Sequence, residues 1–499
     1  MLTDRVDLDE VTIEQLQARM ASGALTARQL VEAYLERIEA VDRGGPRLRS
    51  IIEANPDALE IADALDRERA DAHVRGPLHG IPIVLKDNID TADRMQTTAG
   101  SLALLGVAVT EDAPVARRLR DAGAVLLAKA NMSEWANFRS SRSSSGWSGR
   151  GRQTRNAFVL DRSPGGSSSG SAVAVSANLC VAALGTETDG SIMSPSSANG
   201  IVGIKPTVGL TSRTGVIPIS HTQDTVGPHA RTVADAAAVL SAIAERGLDY
   251  AQYLDRRALS GARIGVARKF HTGYSEHTDR VFDQALEVLR QCGAEVVDEV
   301  DIPGHAEVRA NFEDTEHRAE RTVMEYEFKV DIAAYLATRP DAPVRTLADL
   351  IRFNDEHADQ EMPYFRQELF VGSEARGPLT DELYQRALEH HRTFVRGFAN
   401  LFAESRFDAL VAPTNAPACA IDLLDGDHHL GGSAVAAALG GFPLITVPAG
   451  FALDLLPLGL TFMGPPMSEP TLIKLAYAFE QASPIRRPPR FRATMLDLP

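Results

Sequence analysis

Two loops rich in glycine and serine carry the residues best suited to covalent chemistry. The first reads Gly-Gly-Ser-Ser-Ser-Gly at 165–170 and the second reads Thr-Asp-Gly-Ser at 188–191, so Ser191 follows Ser167 by 24 residues. Glycines let the backbone approach a ligand closely, and consecutive N–H groups ahead of a helix form a pocket for developing negative charge. Such loops are suited to acyl transfer, in which an oxyanion must be stabilised.

A lysine is the candidate base for such a serine. A serine hydroxyl is a weak nucleophile until a neighbouring group removes its proton, and no histidine adjoins the two loops in the sequence. Lys86 follows the apolar run Ile81 to Leu85, so we expect it at the end of a strand. Burial there would lower the pKa of a lysine from about 10.4 toward about 7 to 8. A lysine in this position is more often a solvated charge, and only the serine loops favour catalysis.

These motifs together resemble the amidase signature family. The resemblance runs from Gly80-Ile81-Pro82 through Lys86 and both serine loops to Gly-Ile-Lys-Pro-Thr at 203–207, Asp224 and Arg231. Weaker similarity covers nearly all of the chain, including 408–414 and 442–448. The resemblance implies a single-domain α/β/α fold, with a central mixed β-sheet covered by helices on both faces.

The resemblance also implies a role for each candidate residue. Ser191 would be the nucleophile, Lys86 the base, and Ser167 the bridging serine, preceded by a cis peptide bond. The oxyanion hole would consist of four backbone N–H groups, those of Thr188, Asp189, Gly190 and Ser191. The implied reaction is hydrolysis of a carboxamide to carboxylate and ammonia through an acyl-enzyme. No cofactor and no metal are expected.

Departures from the common family pattern narrow the expected substrate. Asp189 precedes Gly190 where a second glycine is common, Met193 replaces an arginine, and Ser169 replaces a glycine. These variants are similar to those of bacterial peptide amidases, which remove the C-terminal amide of peptides. Three further stretches share this similarity: Asn131–Arg139, Gly146–Asn156 and Arg345–Gln360. We therefore predict peptide amides as substrates, with aryl or small aliphatic amides as alternatives.

Other interpretations of the same loops stay open at this point. Gly166–Gly170 also matches the G-x-S-x-G nucleophile elbow, with Ser168 as nucleophile, but 161–164 is a poor strand to precede it. A phosphate-binding loop would end in Gly-Lys-Ser or Gly-Lys-Thr, which is missing. The amidase component of a tRNA-dependent amidotransferase shares the serine and lysine motifs. A binding relative without turnover is the non-enzymatic alternative.

Three groups of residues outside the loops suggest other chemistry. Acidic and histidine side chains crowd 425–429, but no H-E-x-x-H motif exists, so a solvated polar turn is the better interpretation than a metal site. His221 and Asp224 suggest a Ser-His-Asp triad, yet a loop histidine and a structural aspartate are the expected roles. Aromatic residues either line a substrate funnel or, more commonly, belong to the core: Trp135, Phe138 and Trp147.

Composition limits the partners. The 51 Lys and Arg against 67 Asp and Glu give a formal charge of −16, which disfavours nucleic acid and anionic membranes. Three distant cysteines without a CxxC pair indicate neither a disulfide framework nor a zinc site. The first residues lack a basic start and an apolar run, so we expect a soluble, cytoplasmic protein, although a removed leader would leave no trace. The expected partner is a small-molecule or peptide amide, and the oligomeric state is left open.

The elements that must position these loops alternate along the chain. Two helices with capping boxes open it, and apolar strand-like runs then alternate with helices, which predicts an α/β sheet with helical crossovers. We expect strands at 81–85, 125–128, 181–184, 263–267, 294–300, 409–412 and 444–447. We predict one domain over 1–499, with the signature core at about 75–235 and a helical insertion near the substrate entrance at about 305–400.

Overall fold

Strands from most of the chain length pair into one sheet. The computed structural model describes residues 6–304 and 319–496, and eleven strands of these residues form the sheet. Their bounds are β1 Ile51–Ala54, β2 Pro82–Lys86, β3 Val125–Ala130, β4 Ala182–Glu187, β5 Val202–Lys205, β6 Thr225–Ala230, β7 Arg263–Val266, β8 Glu295–Val297, β9 Ala409–Pro413, β10 Leu444–Ala452 and β11 Leu456–Met463.

The strand order mixes parallel and antiparallel pairs. It runs β1-β3-β2-β4-β6-β5-β10-β11-β9-β7-β8. Strand β2 pairs in parallel with β3 and β4, and β7 pairs in parallel with β8 and β9, whereas the other neighbours are antiparallel. Because carboxyl ends of parallel strands meet at one edge, Lys86 at the end of β2 lies near the end of β4. The predicted α/β class with a mixed sheet is confirmed.

Helices fill the connections between the strands. Within the described residues they are α1 Ile13–Ala21, α2 Ala27–Arg37, α3 Ala58–Ala70, α4 Pro114–Asp121, α5 Ser169–Ser176, α6 Met193–Ala198, α7 Val233–Ile243, α8 Glu276–Gln291, α9 Ala319–Ala337, α10 Leu347–Glu356, α11 Ala358–Glu361, α12 Glu368–Glu374, α13 Glu382–Ser405, α14 Val435–Gly440 and α15 Glu469–Ala482. The N-caps Thr12 and Thr26 each complete the predicted capping box, with Gln15 and Gln29 respectively. None of these helices combines the length and the apolar character needed to span a membrane.

The helices α9 to α13 dock on the core through aromatic and ionic contacts. The rings of Phe328 on α9 and Phe138 lie 5.2 Å apart. The Tyr335 hydroxyl donates to the Asp90 carboxylate at 2.9 Å. Glu361, the last residue of α11, accepts hydrogen bonds from the Ser101 hydroxyl and the Leu102 N–H. The insertion was predicted from residue 305, but 305–318 lie outside the described residues, and the proposed domain boundaries stay a prediction.

Four strands were not among those predicted: β1, β5, β6 and β11. Strand β6 contains Gly227 and Pro228, which interrupt the apolar pattern that identifies a strand. It is held by antiparallel pairing with β4 over six residue pairs, from Ala182↔Ala230 to Glu187↔Thr225. Long-range pairing of this kind leaves little trace in a local pattern.

Candidate active site

Lys86 ends a strand in which every residue is buried. Its side chain has no solvent exposure, and this burial lowers the pKa of the Lys86 amine to about 7. The carboxyl groups of Asp224 and Glu187 oppose the shift. The pKa predicted from a strand-end position is therefore found, and a substantial fraction of the amine is neutral near pH 7.

The Lys86 amine contacts three oxygen atoms. Nζ lies 2.8 Å from the Ser167 hydroxyl. It also lies 2.8 Å from the Thr186 hydroxyl and 3.2 Å from the Thr186 carbonyl oxygen. Parallel pairing of β2 with β4 brings Thr186 to this position. Lys86 and Ser167, two of the three predicted catalytic residues, are thus in hydrogen-bonding contact.

The first serine loop turns sharply into helix α5. The peptide bond between Gly166 and Ser167 is cis, as the family resemblance implied. Gly165 has φ +69°, and a Cβ atom there would lie 2.9 Å from the Cα of Pro195, so a side chain is excluded. The Ser168 hydroxyl donates to the Thr186 carbonyl and accepts from the Thr186 N–H. These bonds make Ser168 a structural residue and disfavour the nucleophile-elbow interpretation.

The second serine loop is folded around the Glu187 carboxylate. Its Oε2 accepts hydrogen bonds from the N–H groups of Ile192 at 2.6 Å and Met193 at 2.9 Å. Burial raises the pKa of Glu187, while Lys205 and these N–H groups oppose the rise. Ser191 is 7% exposed. The loop therefore presents Ser191 from a rigid turn.

A backbone hydrogen bond joins the two serine loops. The Ser168 N–H donates to the carbonyl oxygen of Ser191 at 3.2 Å. Gly190, next to Ser191, has φ +73°, a conformation that favours glycine. The segments that carry Ser167 and Ser191 are thus in direct contact beside Lys86.

Asp224 fixes the start of the predicted oxyanion loop. Its Oδ1 accepts from the Thr188 hydroxyl at 2.6 Å, and its Oδ2 accepts from the N–H groups of Ile219 and Ser220. Burial raises the pKa of Asp224 to about 6. The N–H of Gly190 interacts with the Glu187 carboxylate. The oxyanion role of residues 188–191 stays a prediction.

A cavity of about 500 Å³ opens beside both serine loops. Gly166, Asp189, Gly190 and Ser194 line it at the serine loops, and more distant segments close it. Burial and the neighbouring Glu320 raise the pKa of Asp189 well above its ordinary value. The cavity volume is typical of a site for a small ligand. A second cavity, of about 480 Å³, contains none of the predicted catalytic residues.

Other candidates from the sequence lie elsewhere or have structural partners. His221 Nδ1 lies 3.0 Å from the Asp331 carboxylate and Nε2 lies 3.3 Å from Glu327. These are the three residues that, in the described part of the chain, could together hold a metal ion, but ion pairing already accounts for their arrangement. In the loop 425–429, Asp427 accepts a hydrogen bond from the Ser145 N–H.

The three aromatic residues proposed for a funnel are buried in packing contacts. Trp135 is 2% exposed, and its ring centroid lies 5.7 Å from that of Phe370 on α12. The ring centroid of Trp147 lies 5.1 Å from that of Phe365. With the contact of Phe138 to α9, these residues connect the serine-rich segment to the helical insertion, which is the core role that the sequence favoured.

Several residues of the site were not identified from the sequence. Thr186 contacts Lys86 twice, Asn88 Nδ2 donates to the Thr186 hydroxyl at 3.0 Å, and Glu187 shapes the nucleophile loop. A buried histidine, His229, lies near Lys86, although none adjoins the loops in sequence; burial lowers its pKa to about 3. Their signal is position alone, since all four lie at or near the ends of β2, β4 and β6.

Comparison with known proteins places the chain in a family. The Amidase family model matches residues 29–473. A probable amidase of Arabidopsis thaliana is 43% identical over 99% of this chain and 94% of its own length. This chain belongs to the amidase signature family and is an amide hydrolase.

Solved structures with the same fold include peptide amidases. The structure of the peptide amidase PAM in complex with the competitive inhibitor chymostatin is 51% identical, with a TM-score of 0.91 over 96% of this chain and 99% of that chain. The native peptide amidase from Stenotrophomonas maltophilia is 50% identical, with a TM-score of 0.90 over 97% and 99%. A glutamyl-tRNA(Gln) amidotransferase subunit of Halorhodospira halophila is 33% identical over 95% of this chain and 98% of its own length.

Proposed function

We propose that this amidase hydrolyses the C-terminal carboxamide of peptides through an acyl-enzyme, with Ser191, Ser167 and Lys86 as its catalytic residues. The observation that carries the proposal is the contact of a buried Lys86 amine with the Ser167 hydroxyl at 2.8 Å, on a loop bonded to that of Ser191. A lysine with a pKa of about 7 is suited to accept and return a proton near neutral pH.

The first half-reaction transfers the acyl group. Neutral Lys86 takes the proton of Ser167 while Ser167 takes that of Ser191, and Ser191 Oγ attacks the amide carbon. The resulting oxyanion is stabilised by the backbone N–H groups of the loop 188–191. When the C–N bond breaks, the proton returns from Lys86 through Ser167 to the leaving nitrogen, and ammonia departs.

The second half-reaction uses the same groups with water. A water molecule loses a proton along the same relay and attacks the acyl carbon. The bond to Ser191 Oγ breaks, Ser191 regains its proton, and the carboxylic acid leaves as carboxylate. One base thus serves as general base and general acid twice per turnover, which requires a pKa near the working pH.

The substrate class is supported by similarity and by cavity size. The peptide amidase structures are 50% and 51% identical to this chain, whereas the amidotransferase subunit is 33% identical. A cavity of about 500 Å³ holds a ligand of drug-like size. These observations favour peptide amides over the transfer of ammonia to an aminoacyl-tRNA.

A substrate panel tests this proposal. Released ammonia or aniline is measured for an N-blocked dipeptide amide, a free amino acid amide and an anilide, with Ser191→Ala as the inactive control. We expect the highest kcat/KM for the dipeptide amide and no cleavage of internal peptide bonds. A higher kcat/KM for the anilide would replace the peptide substrate with an aryl amide, and full activity of Ser191→Ala would reject the mechanism.

A further inference from the structure

Thr186 supplies two of the three oxygen atoms around the Lys86 amine. Its hydroxyl lies 2.8 Å and its carbonyl oxygen 3.2 Å from Nζ, and the third atom is the Ser167 hydroxyl at 2.8 Å. Thr186 is 7% exposed and Lys86 is fully buried. At this depth each polar contact of the amine has a large influence on its protonation.

The hydrogens of the neutral amine can be assigned from these contacts. A neutral amine has two hydrogens and one lone pair. If the lone pair faces Ser167, as base catalysis requires, both hydrogens must point to Thr186. A carbonyl oxygen only accepts, so one hydrogen belongs to the Thr186 carbonyl and the other to the Thr186 hydroxyl. Without that hydroxyl, a hydrogen of the amine would be free to turn toward Ser167.

The protonated amine is matched as well. An ammonium group has three hydrogens and no lone pair, and the three oxygen atoms can accept one each. The Thr186 hydroxyl therefore has a hydrogen to accept in both protonation states that Lys86 passes through. Because an acceptor stabilises the charged form, it also raises the pKa of the amine against the effect of burial.

Asn88 holds the Thr186 hydroxyl in place. Its Nδ2 donates to Thr186 Oγ1 at 3.0 Å, and the Asn88 side chain is 2% exposed. With Asn88 on one lone pair of Oγ1, the second lone pair is left for Lys86. Asn88 follows Lys86 by two residues, so the same turn positions the base and the residue that fixes its partner.

We propose that Thr186 is a positioning residue, which directs the lone pair of Lys86 toward Ser167 through its hydroxyl group. This inference rests on the proposed function, in which Lys86 is the base. Other groups that affect the charge of Lys86 are Asp224 and Glu187, which raise its pKa, and His229, which is neutral because its pKa is about 3. They act through space on the charge, whereas Thr186 fixes the direction of the lone pair.

Thr186→Val tests the proposal, because it replaces the hydroxyl by a methyl group of similar size, and Thr186→Ser is the matched control. For Thr186→Val we expect kcat on the dipeptide amide to fall about 10- to 100-fold with KM little changed, since Thr186 does not contact the substrate. The acidic limb of the rate profile should move to lower pH, because the ammonium form loses an acceptor. Thr186→Ser should keep kcat within about threefold and the limb in place.

Each other outcome overturns the positioning role. A wild-type kcat and limb in Thr186→Val would show that the hydroxyl is not needed. A loss of kcat with an unmoved limb and a lower melting temperature, or a Thr186→Ser as impaired as Thr186→Val, would assign Thr186 a structural role. Lys86→Met separates the two proposals: an inactive Lys86→Met beside a fully active Thr186→Val rejects only the role of Thr186, whereas an active Lys86→Met rejects the proposed function.

Discussion

Burial gives the residue Lys86 its chemistry. An exposed lysine amine is almost fully protonated at pH 7 and cannot accept a proton, whereas the pKa of buried Lys86 is about 7. The neighbouring carboxyl groups of Asp224 and Glu187 would favour the ammonium form, but they oppose a larger effect of burial. Asp224 is itself weakened as an anion, because burial raises its pKa to about 6. Near neutral pH the site therefore holds both forms of its base.

Removing the amine should abolish activity. Lys86→Met keeps a side chain of similar length and removes the proposed base, so kcat/KM should fall by at least about 10³ to 10⁴, because general-base and general-acid assistance are lost together. In the wild type, kcat/KM should fall as pH decreases through about 7, since protonated Lys86 cannot accept a proton. A pH profile of kcat/KM for both proteins, with circular dichroism to verify folding, measures this. A folded variant with more than about a tenth of wild-type activity contradicts the mechanism.

At this scale the sequence predicts catalytic residues better than their supports. Lys86 and the serine loops combine unusual residue types with glycine, which marks them as functional. Thr186 is a β-branched residue in a strand, as expected for strands generally, and nothing local distinguishes it. Its role depends on the parallel register of β2 and β4, which residue types alone do not determine.

Among the elements, the loop between β5 and β6 couples the site to the helical insertion. Within it, Ile219 and Ser220 donate to Asp224, which holds Thr188. The next residue, His221, contacts Asp331 and Glu327 on α9. Its neighbours Ser220 and Thr222 also donate to Glu327. The position of α9 and the shape of the oxyanion loop are thus linked through a few hydrogen bonds.

His221 should make this docking sensitive to pH. The hydrogen bond to Asp331 raises the pKa of His221 above 6.5, so its stabilising effect is fully present below about pH 6.5 and is lost as pH rises through the higher folded-state value. His221→Gln should therefore lower the free energy of unfolding by about 1 kcal/mol at pH 6 and by less at pH 9. Urea unfolding at the two pH values measures the difference. His390→Gln, at an exposed position, is the control, and an equal loss at both pH values would contradict the role of the charge.

Element boundaries were predictable where the local pattern is strong. The helix predicted from Pro114 to about Ala122 is found at Pro114–Asp121, and the strand predicted at 125–128 is β3 at Val125–Ala130. By contrast, the strand predicted at 294–300 shortens to β8 at Glu295–Val297. It pairs only with β7 at the end of the sheet, and an edge strand has pairing partners on one side alone.

Across the whole molecule, the sheet region carries several fully buried amines. Lys86, Lys129 and Lys205 have no solvent exposure, and burial lowers the pKa of each. The Lys129 amine donates to the Ile89 carbonyl and the Thr97 hydroxyl, and the Lys205 amine donates to the Phe442 carbonyl. Hydrogen bonding thus partly offsets the desolvation of each amine. Each buried amine still makes folding less favourable wherever the unfolded chain would protonate it.

Lys86 should therefore reduce stability in a pH-dependent manner. Its pKa is about 7 in the folded protein and 10.5 when unperturbed, so the unfolded state binds more protons between these values and stability rises with pH across that range. From pH 7 to pH 9 this single group should contribute about 2 to 3 kcal/mol to the rise. In Lys86→Met that contribution disappears, while lost hydrogen bonds to Ser167 and Thr186 shift the curve equally at all pH values. Urea unfolding of both proteins from pH 6 to 9.5 should show a flatter curve for the variant, with Lys269→Met, at an exposed lysine, parallel to the wild type. A Lys86→Met curve parallel to the wild type would mean that Lys86 is already protonated in the folded enzyme, and it could not then serve as the base.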